Sequence, residues 1–526
     1  MPTVHREPGT TYEVDAHVEL TALTGLLDAG TRATVAVRAG GVPVVEGEVR
    51  SHRLRATYLD TVDLRLAAAG VTLRRLTGGP DAGWHLEVAA ADGARSQVRL
   101  PPGRGSGTVP QPLRQLVRVL VRGAALAPVA RTDTRRSVRT LVDATGQVVL
   151  ELADDRVDAV RLARTAGADE VRTATSWRRI RLLDGEKELL DAADENLRAR
   201  GLRVLAHGSD VARALDLHPG PAPASPPSTT AATSSSAGQV LLDHLTELIA
   251  QVRTQDLPVR LDLPDGVHRM RVATRRLRSA LTSFSPLLDP ARVRPVRGEL
   301  RWLATELGAA RDAEVLRDRL RLAVRGEGEQ VLAESVPATV AAELDLRYRQ
   351  AHEGVLQALD GERYRRLLKA LDALVEEPPV TSRAAGRAGK VLPVLIARSW
   401  RRLRRLVEAA DAAPAGHQRQ ELLHEARKAA KRARYAGEAV TPAFGTPAAA
   451  FARAMEDVQE ALGEHQDSVV TRERLRELAR RTSSPAAAFT YGRLHAAEEL
   501  RAGDAERQFE SAWSKARRRS TRRWLR

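Results

Sequence analysis

The chain has 526 residues, with 83 Lys and Arg against 67 Asp and Glu, and its formal net charge is +16. It contains no cysteine, which excludes disulfides, thiolate metal sites and cysteine nucleophiles. Residues 1–220 hold 31 basic and 28 acidic side chains, so most of the positive excess lies in the C-terminal half. This excess favours an anionic partner such as nucleic acid, polyphosphate or an acidic surface.

The N-terminal segment, MPTVHREPGTTYEVD, lacks the apolar stretch of a secretory signal. No run of about 18 apolar residues occurs that would predict a transmembrane helix. The most apolar stretch, LVRVLVRGAALAPVAR, is interrupted by Arg118 and Arg122. We therefore expect a cytoplasmic protein without a membrane partner.

Up to residue 216 most of the sequence consists of short β-branched segments that are separated by turn residues. The predicted strands are 11–20, 33–38, 53–60, 71–76, 84–89, 95–100, 146–155, 156–163 and 175–183. The predicted helices are 112–123, 187–201 and 209–215. Several strands carry Arg, Glu or His at every second position, which predicts one polar face. That pattern favours an antiparallel β-barrel with a wet interior over a sandwich core.

A Pro-, Ser-, Thr- and Ala-rich segment, residues 217–237, predicts an extended linker. Beyond it Leu and Ala recur at three- and four-residue spacing, which predicts an all-α helical bundle over 238–515. Residues 516–526 form a basic tail that we expect to be disordered. The sequence thus predicts an α+β multidomain chain, with the β-barrel domain over 1–216 followed by the linker and the helical domain.

Two stretches of the helical half match each other, HRMRVATRRLRSAL from His268 and HEARKAAKRARYAG from His424. In each, basic residues follow the histidine at three, seven and ten positions. On a helix these four positions fall within an arc of about 80°, opposite an apolar side. We call these two sets the stripes; they comprise His268, Arg271, Arg275 and Arg278 in the first copy and His424, Arg427, Lys431 and Arg434 in the second.

A second match follows each stripe, with LGAARDAEVLRDRL beginning at Leu307 and LGEHQDSVVTRERL at Leu462. These pieces are 155 residues apart and the two histidines are 156 apart. Two motifs at one spacing predict a duplicated helical unit with an internal two-fold repeat.

The stripes differ from an ordinary solvated helix face, in which acids are interspersed among the basic residues. They contain no acid, and like charges three and four residues apart repel each other. We therefore expect uncompensated positive charge that faces one shared groove and is balanced by a bound anion. Aromatic residues make up only 3% of the chain, which disfavours a binder of single-stranded nucleic acid. Inorganic polyphosphate fits better, and nucleic acid remains an alternative.

The segment HRMRVATRRLRS and its duplicate resemble the CHAD domain, the conserved histidine α-helical domain. The resemblance covers about 238–515 and implies two pseudo-symmetric helical bundles that bind inorganic polyphosphate in a basic channel. For this chain it implies that the eight stripe residues line the channel, with Arg311 and His465 as additions. It also implies recruitment to polyphosphate granules.

The segment TYLDTVDLRLAAAGVTLRRLTGGPDAGWHLEV (57–88) resembles a CYTH domain, the triphosphate tunnel fold. The resemblance implies basic residues that bind triphosphate and carboxylates that hold Mg²⁺ or Mn²⁺ for hydrolysis. It assigns the tunnel to Arg74, Arg75, Arg99 and Arg131. It assigns the metal ion to Glu13, Asp15 and Asp154.

The chain departs from the CYTH pattern at several positions. The opening motif Glu-x-Glu-x-Lys is represented by Glu13, Asp15 and His17, and the lysine after Trp-x-Leu is Glu87. The late strand, usually with Glu-x-Glu, reads WRRIR over 177–181. Because arginines replace metal-binding carboxylates, we predict a barrel without catalytic residues that binds a ligand or supports the helical domain. Metal-dependent tripolyphosphate hydrolysis is the alternative function.

Overall fold

The computed structural model describes residues 4–7, 11–14, 45–89, 95–103, 107–143, 146–162, 174–185, 187–205, 210–215, 235–325, 335–414 and 416–525. Contacts within the chain divide it into two compact units, Met1–Pro221 and Ala222–Arg526. Three of the sequence predictions lie outside the described residues: the strand 33–38, Asp15, and the linker 217–237 except for its last three residues.

The first unit is built on an antiparallel sheet, as the sequence predicts. Its described strands are β1 (Val4–Glu7), β2 (Thr11–Val14), β3 (Val45–Glu46), β4 (Arg50–Asp60), β5 (Val71–Thr77), β6 (Gly83–Ala89), β7 (Arg95–Leu100), β8 (Ala127–Val142), β9 (Val148–Arg161), β10 (Ala174–Gly185) and β11 (Arg203–Val204). They pair in the order β1-β7-β6-β5-β4-β8-β9-β10-β2-β11, and β3 pairs with β8. Over the described residues this path does not close on itself, so the barrel stays a prediction.

Several strands differ from the sequence prediction, and the short strands β1, β3 and β11 are among those that were not predicted. The 16-residue strand β8 was not predicted, because its sequence APVARTDTRRSVRTLV has few apolar residues and no strong alternation. The predicted strands 146–155 and 156–163 form one strand, β9. The charged residues where these two segments join are typical of a turn. In the structure they pair with β8 on one side and with β10 on the other.

The four described helices of this unit pack on opposite faces or at an end of the sheet. They are α1 (Arg65–Ala68), α2 (Gln111–Val121), α3 (Lys187–Ala199) and α4 (Asp210–Ala214). One sheet face packs against α3 in an apolar core that includes Tyr12, Leu152, Ile180, Leu189 and Ala193. The other face packs against α4 through a core that includes Ala56, Tyr58, Val157, Trp177 and Val211. We call the second of these the α4 face.

The described part of the second unit is helical apart from two isolated bridges, Ser236 with Arg387 and Leu288 with Val380. The α-helices are α5 (Ala237–Thr254), α6 (Asp256–Arg260), α7 (Gly266–Ser283), α8 (Pro290–Arg325), α9 (Ser335–Asp360), α10 (Glu362–Glu376), α11 (Ala388–Ala412), α12 (His417–Phe444), α13 (Thr446–Arg481), α14 (Pro485–Ala516) and α15 (Arg519–Arg522). Short 3-10 helices cover Ser285–Leu287, Ser382–Ala385 and Arg523–Leu525. None of the helices in the described ranges combines the length and the apolarity that crossing a lipid bilayer requires.

The stripes lie on α7 and α12, and each of these helices is followed by a helix of 36 residues. Helix α7 buries Met270, Ala273 and Leu277 at three- and four-residue spacing, which fixes the stripe on its opposite side. Gly437 allows α12 to approach α13 closely. A Cβ added at this position would lie only 3.0 Å from the ring of Phe451. Helix α7 packs against α8 and α12, and α12 packs against α13.

The expectation of a disordered tail is wrong. Helix α15 and the last 3-10 helix return onto the bundle, where Trp524 lies 5.4 Å from Phe444 and 5.9 Å from Phe451 between ring centroids. The guanidinium of Arg522 lies 4.8 Å from the ring centroid of Trp400. The ring contacts of the partly buried Trp524 and the burial of Leu525 hold the basic tail against the bundle.

Candidate functional site

The two stripes meet where Arg275 of α7 contacts Tyr435 of α12. Arg275 donates hydrogen bonds from Nε and Nη2 to the Tyr435 Oη, at 3.1 and 2.7 Å. Its guanidinium also lies 5.6 Å from the centroid of the Tyr435 ring. Tyr435 follows Lys431 by one helical turn, so this contact brings Arg275 to the second stripe. The sequence pattern predicts no role for Tyr435.

Lys431 is half-buried in strongly positive surroundings. Burial is the main cause that lowers the pKa of its amine to about 6, and Arg275, Arg427 and Arg271 lower this pKa further. Asp467 opposes them without cancelling their effect. At neutral pH the amine is therefore mostly uncharged. Arginines from both stripes thus act on one amine, which agrees with the contact between Arg275 and Tyr435.

His268 and Arg311 belong to the same group. Burial lowers the pKa of His268, and the nearby cations Arg311, Arg275 and Arg271 add to this effect, while Asp265 opposes it. Arg311 lies on α8, so three helices contribute to the group. We call these six residues the shared cluster: His268, Arg271, Arg275, Arg311, Arg427 and Lys431.

Equivalent contacts occur at the two LG motifs. A Cβ at Gly308 would lie 3.7 Å from the Arg271 guanidinium, and one at Gly463 would lie 3.2 Å from that of Arg427. The absence of a side chain at each glycine thus leaves room for a stripe arginine to cross the following helix. These paired contacts have the same 155- and 156-residue offsets as the motifs, which supports the predicted duplication.

The expectation that the stripes are uncompensated is wrong for part of the site. The ion pairs are Arg271–Asp312 at 2.9 Å, Arg311–Glu314 at 2.7 Å, Arg427–Asp467 at 3.8 Å, Arg434–Glu438 at 2.7 Å and Arg434–Glu456 at 2.6 Å. Most of these carboxylates come from α8 and α13, so inspection of the stripe helices alone misses them. Among the described residues, Arg275, Arg278 and Lys431 have no carboxylate within 4 Å.

Four other predicted site residues lie outside the shared cluster, and Arg278 is one of them. His424 lies at its edge, where burial and then Lys428 and Arg427 lower its pKa. The Nε2 of His465 lies 3.4 Å from Glu506, and burial is the main cause that lowers the pKa of this histidine. The two carboxylates beside Arg434 neutralise it, so its charge is not free to bind an anion.

In the first unit, the predicted tunnel arginines divide between two faces of the sheet. Arg74 pairs in register with Tyr58 and with His85, and His85 pairs with Arg99. Cross-strand partners share a face, so Arg74 and Arg99 both lie on the α4 face with Tyr58. Adjacent strand residues point to opposite faces, which puts Arg75 on the other one.

Arg131 shares that other face with Arg75, because Thr57 pairs in register with both of them. The assignment of all four arginines to one tunnel is therefore wrong for Arg75 and Arg131. Arg136, Arg179 and Arg181 line the α4 face with Arg74 and Arg99, and the tunnel assignment omitted them. The sequence indicates two of these arginines, because Arg179 and Arg181 are two residues apart and therefore share a face of their strand.

The arginines of the α4 face are paired within the protein. Asp155 is fully buried and lies 2.7 Å from Arg136, 3.2 Å from Arg179 and 3.5 Å from Arg181. Burial opposes its ionisation, but the arginines outweigh burial and hold the pKa of this carboxyl well below its usual range. Asp210 of α4 pairs with Arg179 as well.

The predicted metal ligands do not form one site. Glu13 pairs in register with Arg179 and so lies on the α4 face. Asp154 pairs with Ile180, which belongs to the core on the opposite face. Asp15 lies outside the described residues.

Both described carboxylates of that set are bound to arginines. Glu13 lies 2.6 Å from Arg213, and Asp154 accepts two hydrogen bonds from Arg178 at 2.9 and 2.8 Å. Over the described ranges, no group of three or more His, Asp or Glu side chains could hold a metal ion. A site for Mg²⁺ or Mn²⁺ needs several carboxylates that are free to coordinate, so the residues present do not fit this ion.

We expect the substitution Asp155→Asn to lower the free energy of unfolding of the first unit by about 3 kcal/mol. It leaves three partly buried guanidinium groups without their common anion. The matched control is Asp158→Asn on the same strand, whose side chain is 52% exposed and whose partner is Arg135. Its loss should stay below about 1 kcal/mol. Urea denaturation followed by circular dichroism measures both, and equal losses would contradict the assignment.

Comparisons with known proteins agree with this division of the chain. The family described as "CHAD domain" matches residues 243–476. The uncharacterized protein Rv2226 of Mycobacterium tuberculosis is 36% identical over 485 residues, which cover 88% of this chain and 90% of that protein.

Two solved structures are also similar to this chain. PptA from Streptomyces chartreusis has 24% identity and a TM-score of 0.46, over 53% of this chain and 100% of that one. The CHAD domain from the plant Ricinus communis has 26% identity and a TM-score of 0.42, over 53% of this chain and 92% of that one. From its identity to the mycobacterial protein over most of both lengths, the chain belongs to the same family as Rv2226, and its helical unit contains a CHAD domain.

Proposed function

We propose that the protein binds inorganic polyphosphate and that its CHAD domain holds the polymer in the shared cluster. The observation that carries this proposal is that Arg275 of α7 reaches Tyr435 on α12, one helical turn from Lys431, and lowers the pKa of the Lys431 amine. Among the described residues, neither Arg275 nor Lys431 has a carboxylate within 4 Å. Charging both groups costs free energy through repulsion and desolvation, which lowers the pKa of the Lys431 amine, and a bound polyanion offsets that cost.

A linear polyphosphate suits this cluster because it presents closely spaced ionised oxygens without bases. Arginines donate charge-assisted hydrogen bonds to such oxygens, and their planar groups can do so in pairs. Helices α7 and α12 give the bases of single-stranded nucleic acid little to stack on, since Tyr435 is already engaged by Arg275. Through this binding we propose that the protein collects at cytoplasmic polyphosphate granules.

The experiment that tests the proposal is a binding titration of the full chain with long-chain polyphosphate at several salt concentrations. Binding of a polyanion releases its counterions, so the affinity should fall steeply and log-linearly with salt. Single- and double-stranded DNA of equal charge are the competitors. DNA that displaces polyphosphate at equal charge concentration would favour nucleic acid as the ligand and contradict the proposal.

We expect Tyr435→Phe to weaken polyphosphate binding about threefold to tenfold, because Arg275 loses the hydroxyl that holds its guanidinium in place. The aromatic ring, and so its contact with the guanidinium, is retained. Thermal unfolding should change little, since the hydroxyl bonds a partly exposed side chain. Unchanged affinity would show that this contact does not position Arg275 for the ligand.

For the first unit we propose a CYTH-like barrel that supports the protein or binds phosphate without hydrolysing it. The basis is that arginines engage the described carboxylates of the predicted metal site, Glu13 and Asp154, and also Asp155. With tripolyphosphate and Mg²⁺ or Mn²⁺ we expect no phosphate release above that of the Glu13→Ala variant. Turnover that disappears in this variant would establish the alternative, a metal-dependent triphosphatase.

A further inference from the structure

A second group of arginines adjoins the shared cluster. We call it the outer arginine group; it consists of Arg278 of α7, Arg297 and Arg301 of α8, Arg402 of α11 and Arg432 of α12. In the part of the chain that the structure describes, none of the five has a carboxylate within 4 Å. The Nε of Arg297 is buried there without a hydrogen-bond partner.

These arginines lie close together because four helices converge. Helix α7 packs against α8, α11 and α12, and Arg297 and Arg301 are one turn apart on α8. Burial lowers the pKa of Arg278, and then the charges of Arg301, Arg275 and Arg297 lower it further. Since Arg275 belongs to the shared cluster, the two groups form one continuous positive surface.

Arg432 and Arg402 extend this surface. Burial lowers the pKa of Arg432, and Arg402, Arg278 and Arg297 contribute in the same direction. Glu425 is the acid that opposes them, and it lies 2.7 Å from Lys428. The outer group therefore keeps a large positive excess, and most of its side chains are partly or fully exposed to solvent.

The second copy of this part of the stripe has the reverse charge. In the duplicated sequence, Arg434 corresponds to Arg278, which lies 156 residues earlier. Arg434 is bound by Glu438 and Glu456, as described above. In the first copy, Thr282 lies 156 residues before Glu438, and Arg301 lies 155 residues before Glu456. An acid in the second copy is thus replaced by an arginine in the first.

We propose that a polyphosphate chain leaves the shared cluster past Arg278 and over the outer arginine group, and that it does not extend over Arg434. This inference rests on the proposed function and adds a direction and a length preference to it. Glu438 and Glu456 repel a polyanion at Arg434, which they also neutralise. A ligand of a few phosphates fills the shared cluster alone, whereas a longer chain also reaches the outer group.

The test compares tripolyphosphate with polyphosphate of several tens of units, using the full chain with Arg297→Glu and Arg301→Glu combined. We expect the affinity for the long chain to fall at least about tenfold, because two favourable contacts become repulsive. The affinity for tripolyphosphate should change less than about twofold. Arg301 is exposed and Arg297 is half-exposed beside the buried side of α8, and circular dichroism of the variant verifies that the fold is retained.

The matched control reverses the same number of charges at Arg366 and Arg480. Both are exposed arginines on other helices, and among the described residues neither has a carboxylate within 4 Å. This control should leave both affinities within about twofold of the wild type. Equal losses of long-chain affinity in the control and in the outer variant would attribute the effect to net charge and overturn the inference.

The converse variant, Glu456→Gln, removes an acid that pairs with Arg434. We expect it to raise the affinity for long polyphosphate several-fold and to leave that for tripolyphosphate unchanged. An outer-group variant that binds both ligands like the wild type would overturn the inference while the proposed function stands. A wild-type protein that binds neither ligand would instead overturn the proposed function.

Discussion

Replacing Arg275 and Lys431 together by glutamate should abolish the binding of long-chain polyphosphate at moderate salt. Each reversal removes a charge-assisted hydrogen bond and places an anion beside the ligand. At about 2 kcal/mol for each lost interaction, the affinity falls at least about a thousandfold. Isothermal titration calorimetry of the full chain measures the loss.

The fold should survive this change. Both side chains lie on the groove side of α7 and α12, and the two introduced carboxylates would lie among arginines that can pair with them. The control variant with Arg366 and Arg480 reversed should bind like the wild type. A double variant with native circular dichroism and undiminished affinity would contradict the role assigned to the shared cluster.

Binding should take up a proton at Lys431, which makes the affinity strongly dependent on pH. In the free protein the pKa of this amine is about 6, and a bound polyanion raises it. The affinity is then greatest below pH 6. It falls as the pH rises from 6 toward the higher pKa that the Lys431 amine has in the complex. The slope approaches tenfold for each pH unit, so between pH 7 and pH 9 the loss reaches about a hundredfold.

The substitution Lys431→Arg provides the control, since an arginine stays charged over this range. This variant should still bind polyphosphate at pH 9, and its affinity should depend much less on pH above pH 7. His268 has a lowered pKa too, so its contribution to the slope lies below pH 7. An arginine variant with the same slope as the wild type would show that Lys431 is not the group that takes up the proton.

The helical site could be predicted in outline because a duplicated motif and a helical period act together. Spacings of three, seven and ten residues place Arg271 and Arg275 on one side of α7 whatever else surrounds that helix. The 156-residue repeat adds Arg427 and Lys431. The sequence therefore indicates which side chains share a face, and the structure shows that the two faces meet.

The surroundings of that site could not be predicted from the stripes alone. Asp312 and Asp467 reach the stripe arginines from the following helices, and their positions depend on how those helices pack. The end of the site also depends on packing, since Arg301 and Arg402 come from different helices. No local period in the sequence relates residues that only tertiary structure brings together.

The sheet shows a case in which the sequence held a signal that the family resemblance obscured. Adjacent residues of a strand point to opposite faces, so Arg74 and Arg75 could not both line one tunnel. By the same rule, Arg179 and Arg181 lie on one face of their strand, and Arg178 lies on the opposite face. Assigning residues by the alternation of the strands would have found the arginines of the α4 face.

The central claim is that α7 and α12 form one shared anion site, and the stoichiometry of a short ligand tests it most directly. Calorimetry with tripolyphosphate, which is too short to reach the outer arginine group, should give one molecule bound by the helical domain of each chain. Either Arg275→Glu on α7 or Arg427→Glu on α12 alone should then remove that binding completely. Two molecules bound by the wild-type domain, with each variant losing one of them, would show two independent sites and contradict the account.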